Sequence, residues 1–510
     1  MGLGPPHQRI KMSQRSPFLE ALERTGGAFE NLRQRSRSWF APLVVAGALA
    51  GYYFAPNLPL TFAFAIAFLI AAFKWLDWAL VSVLFTSPLY RFPKNLNPND
   101  LGLDLLIGRT ASLEISIAEF AVLACSAVWV ARKLMNSRHR EGVGVLDRRL
   151  FPFLAPAFLL LLAAVISIPF SDYQKVSLRE FRTVIIEPML FYLLMLDTIR
   201  GKEQVSRMLG LFVLLGMIMS FASLYHYFFI GVTEATGGVK RILAIYHSPN
   251  ALALFLGRII PVSFALALAR GLWRGSWRSA IPYFAALVVM ALVLYLTFSR
   301  GAWLAVAITA MAMVLVFGKP KVVAGVLIVF MAVSGLLLFF LGDRVLSNAP
   351  ILQRTYVWEA AINMLRDYPI MGVGLDNFLY HYPDYMLPEA WAEPNVSHPH
   401  NILLDFWLRL GILGVIVLIA SQAVFWRVAV KLYRRYSTCR YRAGMGPERW
   451  LTLALMGSMA SFLVHGLIDN SFFLIDLAYQ FWFIMALLAI LDLDSARNIH
   501  VDKIQKIDME

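Results

Sequence analysis

An all-α, polytopic membrane helical bundle is the fold class this sequence predicts, with about 12–14 transmembrane helices and one large periplasmic loop carrying an amphipathic helix. Three observations predict it. Of 510 residues, 59% are hydrophobic and only 15% charged, where a soluble domain carries about a quarter charged. Apolar runs of about 16–25 residues recur from Trp39 to Leu491, and that is the length that crosses a bilayer. The period-2 alternation of a membrane barrel is missing. A soluble enzyme, a disordered chain and a disulfide scaffold are thereby excluded. Cys125 lies in an apolar run and Cys439 in a basic loop, so the two are not placed to meet.

The apolar segments fall near 40–56, 60–73, 75–90, 113–131, 151–169, 182–199, 208–230, 249–269, 279–297, 301–317, 321–342, 401–425, 450–467 and 472–491. The second and third are short, and read either as two spans or as one broken helix or re-entrant pair. Residues 1–38 form a basic tail with no apolar stretch, so the first span is expected to stay as an anchor. Threading every segment from a cytoplasmic N-terminus puts Lys and Arg on the inside loops by better than two to one, with both termini cytoplasmic. The net charge of +14 is explained by those loops, and no nucleic acid is expected as a partner. The organisation is a tail over 1–38, the N-terminal part of the bundle over 39–342, a periplasmic loop region over 343–400, C-terminal helices over 401–492 and a tail over 493–510.

The 343–400 loop is acidic and rich in prolines and aromatics, which argues for folded structure. Within it Ile351, Thr355, Trp358, Ile362 and Leu365 recur at helical spacing up to Pro369, predicting a helix along the interface. Gly372-Val373-Gly374 is a poor nucleotide signal, because no strand precedes it.

The outer boundary collects an unusual set of polar groups. Arg179 and Arg182 precede the sixth span, and Lys240, Arg241 and His247 the eighth. Arg300 sits in a tight Ser-Arg-Gly turn, and His398 and His400 open the twelfth span. His465 and Asp469 lie one turn apart and read as a hydrogen-bonded pair, a metal dyad or a relay. Each arginine alone reads as a snorkelling side chain, and each histidine as a solvated one. His398 and His400 also offer half a metal site, with His381 and Asp384 to complete it. Fixed cations and a histidine on one face suit an anionic substrate presented from the lipid. Arginine grips phosphate oxygens with a planar fork, and a histidine takes a proton from a hydroxyl. Together they suit attack by a sugar hydroxyl on a lipid-pyrophosphate-linked sugar. The leaving group there needs charge stabilisation, which arginines supply without a metal. A transporter would instead want a path of polar or charged residues deep in the spans; Arg258 and Arg409 are the in-span arginines, and neither sits in an obvious inverted pair.

At these residues the chain resembles the O-antigen ligase / O-antigen polymerase superfamily. The stretches, in order, are His247 to Ala253, Leu296 to Ala305, Trp358 with Pro369, Gly372-Val373-Gly374 and Phe378, and His400-Asn401 with Leu404, Gly411 and Gly414. The resemblance covers roughly residues 180–470. It implies a metal-independent, inverting glycosyltransferase of the bacterial inner membrane, without a cofactor and with a periplasmic active site. The implied donor is an undecaprenyl-pyrophosphate-linked glycan. The implied acceptor is lipid A–core for a ligase or a second lipid-linked glycan for a polymerase. A flippase of the same lipid-linked glycan is the reading from another class. Carried over by motif, His400 is the base, and Arg300, Arg182, Arg241 and Arg179 are pyrophosphate ligands. His398, Asn401, His247 and Asn250 support them. Arg409 stands where the family often has an acidic residue, and Asp405 or Asp469 is the candidate to compensate.

Overall fold

The computed structural model describes residues 40–96, 113–135, 151–231, 233–236, 239–273, 275–317, scattered positions within 320–335, 349–391, 395–438 and 447–507. Cys439, Arg344, most of the expected 321–342 span and the 1–38 tail lie outside them. The protein is an all-α bundle. Its helices are α1 (Phe40–Phe54), α2 (Leu58–Lys74), α3 (Leu76–Thr86), α4 (Ile117–Met135), α5 (Phe151–Ser167), α6 (Gln174–Glu180), α7 (Glu187–Thr198) and α8 (Gly201–Tyr225). They continue as α9 (Pro249–Leu268), α10 (Trp277–Leu296), α11 (Arg300–Phe317), α12 (Ala349–Asp367), α13 (Phe378–Tyr385), α14 (Ile402–Thr438), α15 (Pro447–Gly466) and α16 (Ile475–Ile507). Two hairpins flank them: β1 (Lys94–Leu96) pairs antiparallel with β2 (Leu113–Ile115), and β3 (Thr233–Thr236) with β4 (Val239–Ile242).

Among the described residues, six helices are long and apolar enough to cross a membrane, and four shorter apolar ones accompany them. Other expected spans are helical but carry charge or are interrupted. Glu119, Arg132 and Lys133 lie in α4, and Glu448, Arg449 and His465 in α15. A π-helical segment, Phe181–Ile186, joins α6 to α7. Local chemistry sets the helix starts. Asn57 caps α2 by accepting from the Leu60 amide, and Ser248 caps α9 with Pro249 in its first turn. α9 and α16 are the core rods, 94% and 89% buried along their apolar windows. α9 packs on α15, α10, α11 and α8.

The short second and third segments form a hairpin that traverses the bundle. Lys94 Nζ donates to the carbonyls of Tyr53 and Ala55 at 3.1 and 2.9 Å, placing the exit of α3 beside the entrance of α2. The turn between them reaches the opposite end. There Arg207 pairs with Asp77 at 2.7 Å, and Arg132 Nε donates to the Phe73 carbonyl at 3.0 Å. The same end holds Lys133–Asp197 at 3.0 Å and Lys202–Glu448 at 2.5 Å. These contacts join segments expected on one side to each other, and the candidate site gathers the opposite set.

The 349–396 region has a small core of its own. Val357, Ala360, Ala361, Met364 and Leu365 of α12 pack on Val373, Phe378, Tyr382, Val396 and Leu408. Of the expected apolar stripe, Leu365 is buried in this core, while Ile351 and Ile362 are 58% and 45% exposed. Small alanines let α12 approach closely. The glycine-rich stretch docks on a break inside α14. Val373 and Gly374 donate to the Leu408 carbonyl at 2.7 and 3.1 Å, and Ile412 donates to that of Ile370 at 2.9 Å. Gly372 (φ 68°) and Gly411 (φ 66°) allow this. A Cβ on Gly372 would meet the Leu408 oxygen at 2.2 Å, and one on Gly411 the Ile370 oxygen at 2.1 Å. The Gly-Val-Gly motif is thus a docking joint. Gly411→Ala is expected to cost at least about 2 kcal/mol, through left-handed strain and the clash. Melting in detergent checks it against Gly47→Ala, where open space surrounds the new methyl.

Candidate active site

Three of the sequence stretches meet at Arg241. Strand β4 delivers this arginine to the ends of α9 and α10. Its Nε donates to the Thr297 carbonyl at 2.8 Å and its Nη2 to Asn250 Oδ1 at 2.9 Å. Phe298 then turns the chain with a positive φ of 50°, and Arg300 opens α11. Gly301 packs closely on Ile468 there, since a Cβ would lie 2.5 Å from Ile468 Cδ1 and that side chain would have to move. The Arg300 turn is thereby pressed against the end of α15, one residue from Asp469.

Asp469 is 2% exposed and organises the histidine. Its Oδ1 lies 3.0 Å from His400 Nδ1 and accepts from the Asn470 amide at 2.9 Å. Burial alone would raise the Asp469 carboxyl; His400 and the hydrogen bond to it outweigh that and hold it below the usual carboxylate range. An ionised acceptor at Nδ1 fixes the tautomer and leaves the Nε2 lone pair to take a proton. His400 itself adopts a left-handed backbone, φ 50°. Its amide donates to His398 Nδ1 at 3.3 Å, and its carbonyl accepts from Trp358 Nε1 at 3.3 Å. Asn401 caps α14 at the Leu403 and Leu404 amides and donates to the Leu467 carbonyl at 3.0 Å, tying α14 to the Asp469 turn. Burial keeps His398 well below the ordinary histidine value, reinforced by His400 and, from other segments, by Arg409 and His247.

Arg179 and Arg182 stand on a neighbouring wall. Arg182, in the π segment, is half exposed; it contacts the buried Glu119 and lies 3.8 Å from the buried Glu187. Arg179 pairs with Asp376 at 3.0 Å. Arg409 connects this wall to the histidine side. It is 2% exposed, with Asp405 Oδ1 at 2.7 Å, Glu180 Oε1 at 2.5 Å and Asp376 Oδ1 at 3.6 Å. Asp405 therefore compensates Arg409, Glu180 accepts a further hydrogen bond from it, and Asp469 serves His400. Burial pushes the Glu180 carboxyl up to about 8 against the attraction of Arg409, with Asp376 and Asp405 adding to the rise.

Two expected groupings do not form. His381 turns to Asp172 at 3.4 Å, away from His398 and His400. His465 does not hold Asp469 by an i,i+4 hydrogen bond, because α15 ends at Gly466 and the chain turns. The ligand atoms of His398, His400 and Asp469 lie within 4.8 Å of one another. Ligands of one first-row cation sit closer, about 3.3 Å apart for bonds of about 2.0–2.1 Å. These three could still hold a metal ion, with Arg354 and Arg409 as the cations nearest the group. Glu119, Glu180, Glu187 and Arg354 were not legible as site neighbours. The one signal for Glu119 and Glu187 is an acid inside an apolar run.

Residues 285–419 match the sequence model of a family described as O-antigen ligase. Over those residues the chain is similar to that family, and the six helices long and apolar enough to cross a membrane agree with a multi-pass membrane protein. The match spans the Arg300 turn, the α12–α13 region, His400 and the break in α14. No curated protein matches the chain.

A pH test follows from Glu180. An acid whose folded value is raised from 4.5 to about 8 holds its proton better in the folded state. Stability from this group is therefore full below its ordinary value and is lost as pH climbs toward about 8. The melting temperature in detergent is expected to fall over that window in the parent protein and to fall less in Glu180→Gln. Equal slopes in both would remove the buried proton.

Proposed function

We propose that the protein transfers a glycan from an undecaprenyl-pyrophosphate donor to an acceptor hydroxyl, at the periplasmic face of a bacterial inner membrane. The single observation that carries this reading is the buried Asp469 bound to His400 at 3.0 Å, one residue from the contact that seats the Arg300 turn. His400 Nε2 takes the proton of the acceptor hydroxyl, and the oxygen attacks the anomeric carbon. The bond from that carbon to the pyrophosphate breaks, with inversion, and the leaving group departs with the electron pair. Arg300, with Arg241, Arg182 and Arg179, meets the charge that develops on the phosphate oxygens. Asp469 stabilises the imidazolium formed in the step. The acceptor fitting the ligase reading is lipid A–core.

Arg300→Ala is expected to remove roughly 2–4 kcal/mol of transition-state stabilisation, or about 10²–10³ in rate, by analogy with losing one oxyanion donor. His400→Ala is expected to cost about 10²–10⁴, the usual worth of a general base. Transfer from a lipid-linked donor by purified protein in nanodiscs, at matched protein levels, measures both. Undiminished transfer in both variants would overturn the site. Donor crossing liposomes with no glycosidic bond formed would favour the flippase, and products extended on a second lipid-linked glycan would favour the polymerase.

A further inference from the structure

The helix α12 lies against the histidine pair with two polar side chains that the reaction as described does not use. Arg354 and Trp358 are four residues apart, so they share one face of the helix. Each reaches one half of the pair. Trp358 Nε1 donates to the His400 carbonyl at 3.3 Å, at a residue whose φ of 50° needs an external hold. Arg354 Nη2 lies 3.7 Å from Asp469 Oδ2, the carboxylate oxygen opposite the one that receives His400. Arg354 Nε and Asp469 Oδ2 are both buried without a hydrogen-bond partner. An approach of about 1 Å would turn that contact into a charge-assisted hydrogen bond. The small core behind α12, built on Ala360, Ala361 and Met364, fixes which face it presents.

We propose that α12 is a splint for the catalytic pair, with Arg354 a positioning residue that orients His400 through Asp469 and Trp358 one that holds the His400 backbone. The inference rests on the glycosyl-transfer reading above and adds to it a residue that acts on the base without touching substrate. A side chain that works this way changes turnover and leaves substrate affinity alone. Its effect also disappears once Asp469 can no longer receive it.

The test uses the full-length protein in nanodiscs, with lipid-linked donor and acceptor titrated separately. Arg354→Gln is expected to lower kcat about 10- to 100-fold, the worth of one charged contact, with both KM values within about twofold. Arg354→Lys should recover part of the loss. In an Asp469→Asn background, Arg354→Gln should cost less than about threefold more, since the two act as one unit. Losses that multiply, or a raised donor KM at unchanged kcat, overturn the proposal, the second by making Arg354 a pyrophosphate ligand. Full activity in Arg354→Gln with none in His400→Ala overturns the splint alone. Full activity in both overturns the reading on which it rests. If Arg354→Gln fails to accumulate in the membrane, Trp358→Phe carries the test. It removes only the indole donor, and a fall in kcat at constant KM is again the expected result, with unchanged kcat the refuting one.

Discussion

A single buried carboxylate sets the arrangement of the site. Asp469 sits beyond the end of α15 with 2% exposure, where an unpaired charge would be costly. It is satisfied by His400, by the Asn470 amide and, at longer range, by Arg354. Asn470 is its chain neighbour, whereas His400 and Arg354 come from distant segments, so the buried charge gains its side-chain partners only once the chain around 354 and 400 has packed here. Folding of the 349–400 region onto the bundle and assembly of the base are thus one event.

The second charged cluster has the opposite logic. Arg409 is a buried cation in a helix that would cross the bilayer, and Asp405 and Glu180 contact it with Asp376 nearby. This guanidinium is buried and already faces three carboxyl groups, so it is poorly placed to meet a substrate phosphate. Its work is mechanical: it ties α6, α14 and the 369–377 turn together. That turn also carries the Gly372 joint. The distinction matters for the arginines as a set, because position at the same end of the bundle does not give them the same task.

The spans were legible because the bilayer dictates their length and composition, and the hairpin of α2 and α3 followed once basic loops were assigned to one end. His400, Arg300, Arg241 and Asn250 were singled out by motif resemblance, and the structure places Arg300 and Asn250 at helix starts and Arg241 on a strand beside them. The acids were not. Glu119, Glu180 and Glu187 gain meaning only from tertiary distance to an arginine, and Asp469 exchanged its expected partner His465 for His400 because the helix between them stops. The α12 helix was legible from its spacing, whereas its packing face was not: close approach selects Ala360 and Ala361, which hydrophobic size does not single out.

Helix direction adds a field that no single residue supplies. α9 and α14 begin at this end under the caps of Ser248 and Asn401, and α11 begins at Arg300 itself. α16 begins here too, since Tyr246 beside α9 donates to Asp476 at 2.9 Å. Four helix N-termini therefore share one end of the bundle, and each carries roughly half a positive charge from its unsatisfied amides. An anion entering from the lipid would meet that potential before it met any side chain. The side chains then divide the labour that the field alone cannot perform. In the proposed reaction the guanidinium groups would give geometry to the phosphate oxygens, and one imidazole, hydrogen-bonded by Asp469, would take the proton.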